Sequence, residues 1–192
     1  MGEVMVEEGA EIDSEADIDP VTLEVLWSQL RGIPREMGTH LSRTAFSPVI
    51  KYRDDFSTAL FGWDGRLISQ GVYAPGHLGA MPYTVRDILR DHFRPEDLKP
   101  GDVVLTNDPQ LNSGHLPDMF MMEPVFLEDE IVGYSASIGH HQDVGGSAPE
   151  SYSVETIDVY GEGLMIPPLK FWTTDGVNED LIRIAMENSR VP

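Results

Sequence analysis

The sequence predicts an α+β fold, in which a mixed and mainly antiparallel sheet is flanked by helices, and three observations support this class. Two stretches read as β-hairpins, because apolar runs flank short polar turns. Helical signals occur before, between and after these hairpins, so helices are expected beside the sheet. Hydrophobic residues make up 41% of the 192 residues, which is enough for a buried core and argues against global disorder.

The chain opens with an acidic segment, followed by a helix start. Residues 1–18 are acidic and low in hydrophobicity, so we expect a disordered tail. Asp19 then offers an N-cap and Pro20 an N1 residue. Gly32 and Pro34 predict that this helix kinks or splits into two. Apolar residues recur at steps of three and four and predict one buried helix face: Val25, Leu26, Leu30, Ile33, Met37 and Leu41.

Similar signals predict the other elements. The first hairpin, DFSTALFGWDGRLISQ, has strands near 56–62 and 66–70 around a turn at WDG. A helix is expected from about Pro82 to Phe93, and a last helix from Asn178, its N-cap, to about Asn188. LKPGDVVLTNDP predicts a short buried strand between two turns. Residues 141–177 show only short β-like runs among many glycines, prolines and serines.

The second hairpin brings two polar residues face to face. DMFMMEPVFL and IVGYSASIGH flank a turn at Glu128–Glu130, and paired positions in an antiparallel hairpin have a constant sum. A turn centred on Asp129 sets Asp118 directly opposite His140, with Cβ atoms about 4.5–5.5 Å apart. A two-residue turn or a bulge would shift this pairing to a neighbour of His140. Pro124 cannot donate a ladder hydrogen bond, so its strand is expected at the sheet edge or bulged.

The spacing of His115, Asp118 and His140 is compatible with a metal site. His115 lies in a glycine-containing loop, from which it can fold over the strand end. Two imidazoles and a carboxylate suit Mn, Zn, Fe or Co, and such a site can polarise a carbonyl or generate hydroxide near neutral pH. Alternatively, His115 bonds a loop carbonyl, Asp118 caps a turn and the histidines are partly exposed. The chain has no cysteine, which excludes thiolate ligands, disulfides and a cysteine nucleophile.

Four other residues carry weaker signals. His141 and Asp143 follow the second strand and are candidates to support the metal ligands or to contact substrate. Asp108 follows a buried strand and could orient a ligand or a water, although Asn-Asp-Pro is also a common turn sequence. His77 precedes the predicted helix, where backbone amides can bind an anion, although an isolated histidine is more often structural. We find no glycine-rich phosphate motif and no recognisable serine-hydrolase motif.

Charge and the start of the chain exclude several classes of partner. The formal net charge of −20 opposes binding to nucleic acid or to an anionic membrane. No run approaches the roughly 18 apolar residues of a membrane span. The first residues lack the basic and apolar regions of a secretory signal, so a cytoplasmic location is expected. An acidic surface with only three lysines favours a halophilic source, and an ordinary acidic protein is the alternative.

Six separated motifs occur in an order that resembles the hydantoinase B/oxoprolinase family. They run from DPVTLEVLWSQLRGIPREMG through HLGAMPYTVR, PGDVVLTNDP, GHLPD and GHHQDVGG to NEDLIRIAMENSRVP, and cover residues 19–192. The resemblance implies a domain that is the N-terminal portion of a larger family fold. It also implies an A-type ATPase partner subunit. That partner uses ATP, and this chain is not expected to bind ATP. It further implies a metal, typically manganese, on His115, Asp118 and His140.

The resemblance leaves the reaction open between related chemistries. The expected function is hydrolysis of an activated cyclic amide or imide of the hydantoin or 5-oxoproline type. Alternatives are a subunit of an ATP-dependent ketone carboxylase, or a non-catalytic chain that docks on the A-type subunit. A non-haem iron oxygenase would use the same donor set, but the chain lacks a β-sandwich repeat pattern. The loop reads NSGHLPD where relatives usually have GGTHLPD, and family members are much longer.

Overall fold

The computed structural model describes residues 18–151 and 153–191, so the expected disordered tail falls almost wholly outside the described residues. Helices and strands follow one another in chain order as α1 (Pro20–Thr44), α2 (Pro48–Arg53), β1 (Phe56–Gly62), β2 (Leu67–Gln70), α3 (Pro75–Asp91), β3 (Val103–Thr106), β4 (Asp118–Leu127), β5 (Glu130–His140), β6 (Leu169–Thr173), β7 (Gly176–Val177) and α4 (Glu179–Asn188). Short 3₁₀ helices lie at Pro95–Asp97, Pro149–Ser151 and Val159–Gly161. Within the described ranges, no helix is both long and apolar enough to cross a membrane.

The strands of the described chain form one seven-stranded sheet in the order β2-β1-β5-β4-β3-β6-β7. The pairings between neighbouring strands are antiparallel. This sheet with flanking helices confirms the predicted α+β class. The central pair, β4 and β5, is the longest in the sheet and carries the polar residues of interest at one end.

Each face of the sheet has its own apolar core, because successive side chains of a strand point to opposite faces. On the first face, here called the α3 face, Phe120 of β4 and Ile138 of β5 pack with Val85 of α3. On the second, the α4 face, Met119 of β4 packs with Leu181 of α4. Asp118 lies two residues before Phe120, and it therefore shares the α3 face.

Helix α1 begins as predicted and runs without a break through Pro34, so the predicted split is wrong. The Asp19 carboxylate accepts hydrogen bonds from the first-turn amides, which confirms the N-cap. Pro34 has no N–H, which leaves the carbonyl of Leu30 without its helical donor. The hydroxyl of Ser69 in β2 donates to that carbonyl instead, at 2.7 Å, and the hydroxyl of Thr58 in β1 donates to the carbonyl of Pro34 at 2.6 Å.

The predicted buried face of α1 is wrong for the first half of the helix. Val25, Leu26 and Ile33 are exposed, whereas Leu30 is partly buried. Among the described residues, hydrogen bonds from the sheet reach α1 at Leu30 and Pro34, and the earlier turns of the helix are exposed. Periodicity identified the apolar face of the helix, but it did not identify what covers that face.

Helix α3 begins seven residues before the predicted start at Pro82. Its N-cap, Ala74, makes no side-chain capping bond, and glycines at positions 76 and 79 weaken the local helix signal. Pro75 occupies the N1 position, where a proline is well tolerated. His77 therefore lies in the first turn of α3 rather than in a loop before it.

The hairpin register confirms the predicted pairing of Asp118 with His140, although the turn differs from the prediction. The turn has two residues, because Leu127 pairs with Glu130. This shift of one position is reversed by a bulge, since Val132 has no partner in the ladder between β4 and β5. The two deviations cancel, and the remainder of the hairpin regains the expected register.

Pro124 lies in a central strand, so its predicted position on an edge strand is wrong. Strand β3 pairs with residues 120–122 of β4 only, so Pro124 lies beyond the end of β3 and has no ladder donor to supply there. The bulge alternative is close to what is observed, because the register shift follows Val125.

We expect Gly133→Ala to lower the free energy of unfolding by about 1–3 kcal/mol, because overpacking strains its surroundings. A Cβ at Gly133 would lie 2.4 Å from the carbonyl oxygen of Phe61 on the neighbouring strand. Gly32→Ala is the control: its Cβ meets nothing within 4 Å, and alanine should stabilise this helical position by roughly 0.5–1 kcal/mol. Urea unfolding of both variants measures the difference, and equal midpoints would contradict the close contact.

Candidate metal centre

The end of the central hairpin sets two buried polar residues side by side. Asp118 begins β4, His140 ends β5, and the two are direct partners on the α3 face. Asp118 is 1% exposed and His140 is 4% exposed. The backbone N–H of His140 donates to the carbonyl of Asp55 at 3.0 Å, which fixes this strand end against the start of β1.

The loop between β3 and β4 carries His115 over the strand end. Asn107 fixes this loop: its buried amide donates to the carbonyls of Leu116, at 2.7 Å, and Leu164, at 2.8 Å. Its Oδ1 accepts from the N–H of Ile166 at 2.6 Å. From the sequence, the Asn-Asp-Pro stretch was interpreted as a turn in preference to a ligand-orienting site, and the role of Asn107 in holding the loop was not predicted.

The structure brings together the three residues predicted from spacing, because both histidines contact the same carboxylate oxygen of Asp118. Nε2 of His115 lies 2.9 Å from Oδ1 of Asp118, and Nδ1 of His140 lies 3.0 Å from the same oxygen. One ligand atom from each of the three residues lies within 4.8 Å of the other two. The two imidazole rings have centroids 5.0 Å apart and are inclined at 49°.

The second oxygen of Asp118 is held by residues that the sequence analysis did not place in the site. Nε2 of His77 lies 3.0 Å from Oδ2, and the hydroxyl of Ser113 donates to the same atom. The same His77 nitrogen lies 3.8 Å from Oδ1 of Asp55. The sequence prediction missed His77 because it placed the start of α3 too late. A histidine that precedes a helix gives no indication that it points toward β4.

This surrounding keeps Asp118 ionised. Burial by itself would raise the pKa of its carboxyl group, but hydrogen bonds from His115, His140, His77 and Ser113 outweigh burial and hold that pKa far below its ordinary range. The hydrogen bond to Asp118 raises the pKa of His115, against the opposing effect of burial. The centre therefore presents a fixed anionic oxygen between imidazole nitrogens.

The donor set fits a divalent transition metal. Neighbouring ligands about 2.1 Å from a cation lie roughly 3.0–3.4 Å apart, and the two contacts to Oδ1 are 2.9 and 3.0 Å. Two imidazoles and a carboxylate suit Mn, Fe, Zn or Co, and three protein ligands are the number that catalytic zinc sites use. The side chain of His115 is 35% exposed, so the centre opens to solvent on that side.

Asp108 and His141 occupy other surroundings. Oδ1 of Asp108 accepts from the N–H of Gln110 at 2.9 Å, and its carbonyl accepts from the N–H groups of Leu111 and Asn112, as in a turn. His141 is exposed, and its N–H donates to the carbonyl of Pro117 at 2.8 Å. The supporting roles expected for both residues stay predictions.

His141 borders an apolar groove of about 620 Å³ on the α4 face. The floor of the groove includes Met119 and Met121 of β4, and its walls include Ile50 of α2 and Ile182 of α4. Strand alternation sets Met119 on the face opposite to Asp118. The groove and the polar centre are therefore separated by the thickness of the sheet.

Asp143 is held by the last described turn of the chain. Its buried carboxylate accepts from Nη1 of Arg190 at 3.0 Å and from the N–H of Gly145 at 2.9 Å. The same guanidinium donates to the carbonyls of Gly145, Gly146 and Ala148. Asp143 thus anchors the glycine loop after β5, and its expected role beside substrate stays a prediction.

Comparison with known proteins gives consistent matches. Residues 19–192 match the family model described as Hydantoinase B/oxoprolinase. The caprolactamase subunit beta of Pseudomonas jessenii is 35% identical over 173 residues, which are 90% of this chain and 29% of that protein. 5-Oxoprolinase 1 of Arabidopsis thaliana is 42% identical over 152 residues, 79% of this chain and 12% of that protein. The chain thus spans less than a third of the length of these relatives.

Two solved structures share the fold. The crystal structure of the ATP-dependent caprolactamase from Pseudomonas jessenii matches with a TM-score of 0.82 and 35% identity, over 91% of this chain and 30% of that one. The nucleotide-free structure of acetone carboxylase matches with a TM-score of 0.83 and 20% identity, over 91% of this chain and 23% of that one. At 20% identity, the second likeness shows the fold alone.

We expect Arg190→Ala to lower the free energy of unfolding by roughly 1.5–3 kcal/mol, because it removes a charged hydrogen-bond donor from the buried Asp143 carboxylate. Arg183→Ala is the matched control, since its pair with Asp180 is exposed and should contribute less than about 0.5 kcal/mol. Urea unfolding measures both effects. Equal losses in the two variants would mean that Arg190 does not hold the loop.

Proposed function

The chain belongs to the hydantoinase B/oxoprolinase family, and on that premise we propose that it is part of a B-type subunit of an ATP-dependent enzyme that opens a cyclic amide. One observation carries the proposal: His115, Asp118 and His140 converge on one carboxylate oxygen at the end of a buried hairpin. Two imidazoles and a buried, ionised carboxylate in that arrangement are suited to hold a divalent cation.

The names of the relatives favour a lactam as the substrate class. Caprolactamase and 5-oxoprolinase are both named for cyclic amides, and they are 35% and 42% identical to this chain. Acetone carboxylase shares the fold at 20% identity, which supports no inference about its reaction here. Hydrolysis is therefore the proposed chemistry, in place of carboxylation.

The proposed reaction divides between two subunits. A partner of the A type transfers the terminal phosphoryl group of ATP to the amide oxygen, and water then adds to the activated ring carbon. The C–N bond breaks, the ring nitrogen takes a proton, and a further water releases the phosphate. The net products are the ring-opened amino acid, ADP and phosphate. The name subunit beta of the caprolactamase relative motivates the proposal of a partner subunit.

The residues of this chain would bind and orient the reacting groups. His115, Asp118 and His140 would hold the cation, which supplies Lewis-acid polarisation of a carbonyl or hydroxide near neutral pH. The carboxylate of Asp118 is fixed at both oxygens, so it cannot turn away from the two histidines. Partial exposure of His115 leaves this side open for substrate, whereas the packed α3 face closes the other side.

We expect His140→Ala to lose most of the metal bound by the chain, because it removes a buried ligand from the centre. His92→Ala is the matched control: this histidine is exposed at the far end of α3, away from the centre, so metal content should stay unchanged. Elemental analysis after saturation with Mn²⁺ or Zn²⁺ and desalting gives the stoichiometry. Unchanged stoichiometry in His140→Ala would refute the assignment.

Turnover is best tested in a chimera, because the chain spans only 29% of the caprolactamase subunit beta. Residues 19–192 would replace the aligned segment of that subunit, and the chimera would be mixed with the subunit's natural partner, ATP and a lactam. We expect ring opening, seen by mass spectrometry as addition of one water, with ADP formed in step, and none with His140→Ala. Incorporation of labelled bicarbonate in place of ring opening would contradict the proposal.

A further inference from the structure

His77 reaches the candidate centre from a different element than the three proposed metal ligands. It lies in the first turn of α3, is 6% exposed, and directs Nε2 at Oδ2 of Asp118 from 3.0 Å. The two oxygens of Asp118 thus have separate neighbours. Oδ1 faces His115 and His140, whereas Oδ2 faces His77 and Ser113.

We propose that His77 is a positioning residue: its Nε2–H holds Oδ2 of Asp118, so that Oδ1 stays directed toward His115 and His140, where the cation binds. This inference rests on the proposed function, because it requires that these residues hold a cation. A metal-binding carboxylate is usually oriented by a hydrogen bond to its other oxygen, and loss of such a partner costs 10–100-fold in metal affinity.

The hydrogen-bond chemistry of His77 supports a donor role. An ionised carboxylate only accepts hydrogen bonds, so the nitrogen facing Asp118 must carry the proton. The other nitrogen, Nδ1, is buried and has no hydrogen-bond partner among the described residues. A buried nitrogen without a hydrogen-bond partner is energetically unfavourable. The polar interaction that His77 gains in this position is the contact of its other nitrogen, Nε2, with Asp118.

The surroundings of His77 make it suitable for orienting a carboxylate. A helix turn is a rigid support for a side chain, in contrast to the loop that carries Ser113 and His115. The hydroxyl of Thr84 in α3 donates to the carbonyl of Leu111 at 2.6 Å, which ties α3 to the middle of that loop. Helix α3 therefore fixes both the loop and the carboxylate, and His77 is its contact with Asp118.

Four variants of the 192-residue chain test this role. Glutamine at position 77 can bring an amide N–H to the place of Nε2, whereas asparagine is too short to do so. His77→Leu removes the donor but keeps apolar bulk. His92→Leu, at the far end of α3 and exposed, is the control for the same exchange. Affinity for Zn²⁺ and Mn²⁺ is measured by competition with a chromophoric chelator, and metal-free thermal unfolding is followed by circular dichroism.

We expect His77→Leu and His77→Asn to bind the cations 10–100-fold more weakly than the parent chain. His77→Gln and His92→Leu should stay close to the parent. If His77→Leu does not fold, the glutamine and asparagine variants alone decide the outcome. Their difference in affinity should exceed any difference in metal-free melting temperature.

Distinct results would overturn this inference or the function on which it rests. Parent affinity in His77→Leu, together with loss of metal in His140→Ala, would refute the positioning role and leave the proposed function standing. An equal loss of metal affinity in His77→Gln and His77→Leu would make His77 a ligand or a packing residue rather than a hydrogen-bond donor. A parent chain that binds neither cation would overturn both proposals.

Discussion

The register of β4 against β5 is the constraint on which the centre depends. Side chains alternate along a strand, so a slip of one residue would carry His140 to the α4 face and set Gly139 opposite Asp118. The α3 face of this hairpin is buried under apolar side chains, and a slip would take His140 out of that face and away from Asp118. The two-residue turn and the bulge at Val132 act together, because the turn alone would set Gly139 opposite Asp118 and the bulge alone would set His141 there.

Asp118 is stable in the interior because three parts of the chain supply donors to it. α3 contributes His77, the loop before β4 contributes Ser113 and His115, and β5 contributes His140. A buried carboxylate with too few donors would be several kcal/mol less favourable, so the assembly of these parts and the position of the carboxylate depend on each other. The relative positions of these side chains are consequently set by the packing of α3, the loop and β5.

The sequence could predict features that depend on local pairing along the chain, and it missed contacts that depend on tertiary packing. The pairing of Asp118 with His140 follows from counting along one hairpin, although both deviations that could shift it, a two-residue turn and a bulge, occur and cancel. His77 could not be found in this way, because its contact depends on how α3 packs against β4 and on a helix start without a capping side chain. Asn107 read as a turn residue, yet it is fully buried and joins segments about 60 positions apart. The apolar stripe of α1 was visible in the sequence, but the extent of the sheet beneath it was not.

Pro34 has a consequence for the placement of α1. A carbonyl deprived of its amide donor needs a replacement, and the hydroxyl of Ser69 provides one at 2.7 Å. If α1 slid along its axis by one turn, this oxygen would move about 5.4 Å from that hydroxyl and remain unsatisfied. A residue that usually terminates helices thus fixes the axial position of a long helix relative to a short strand.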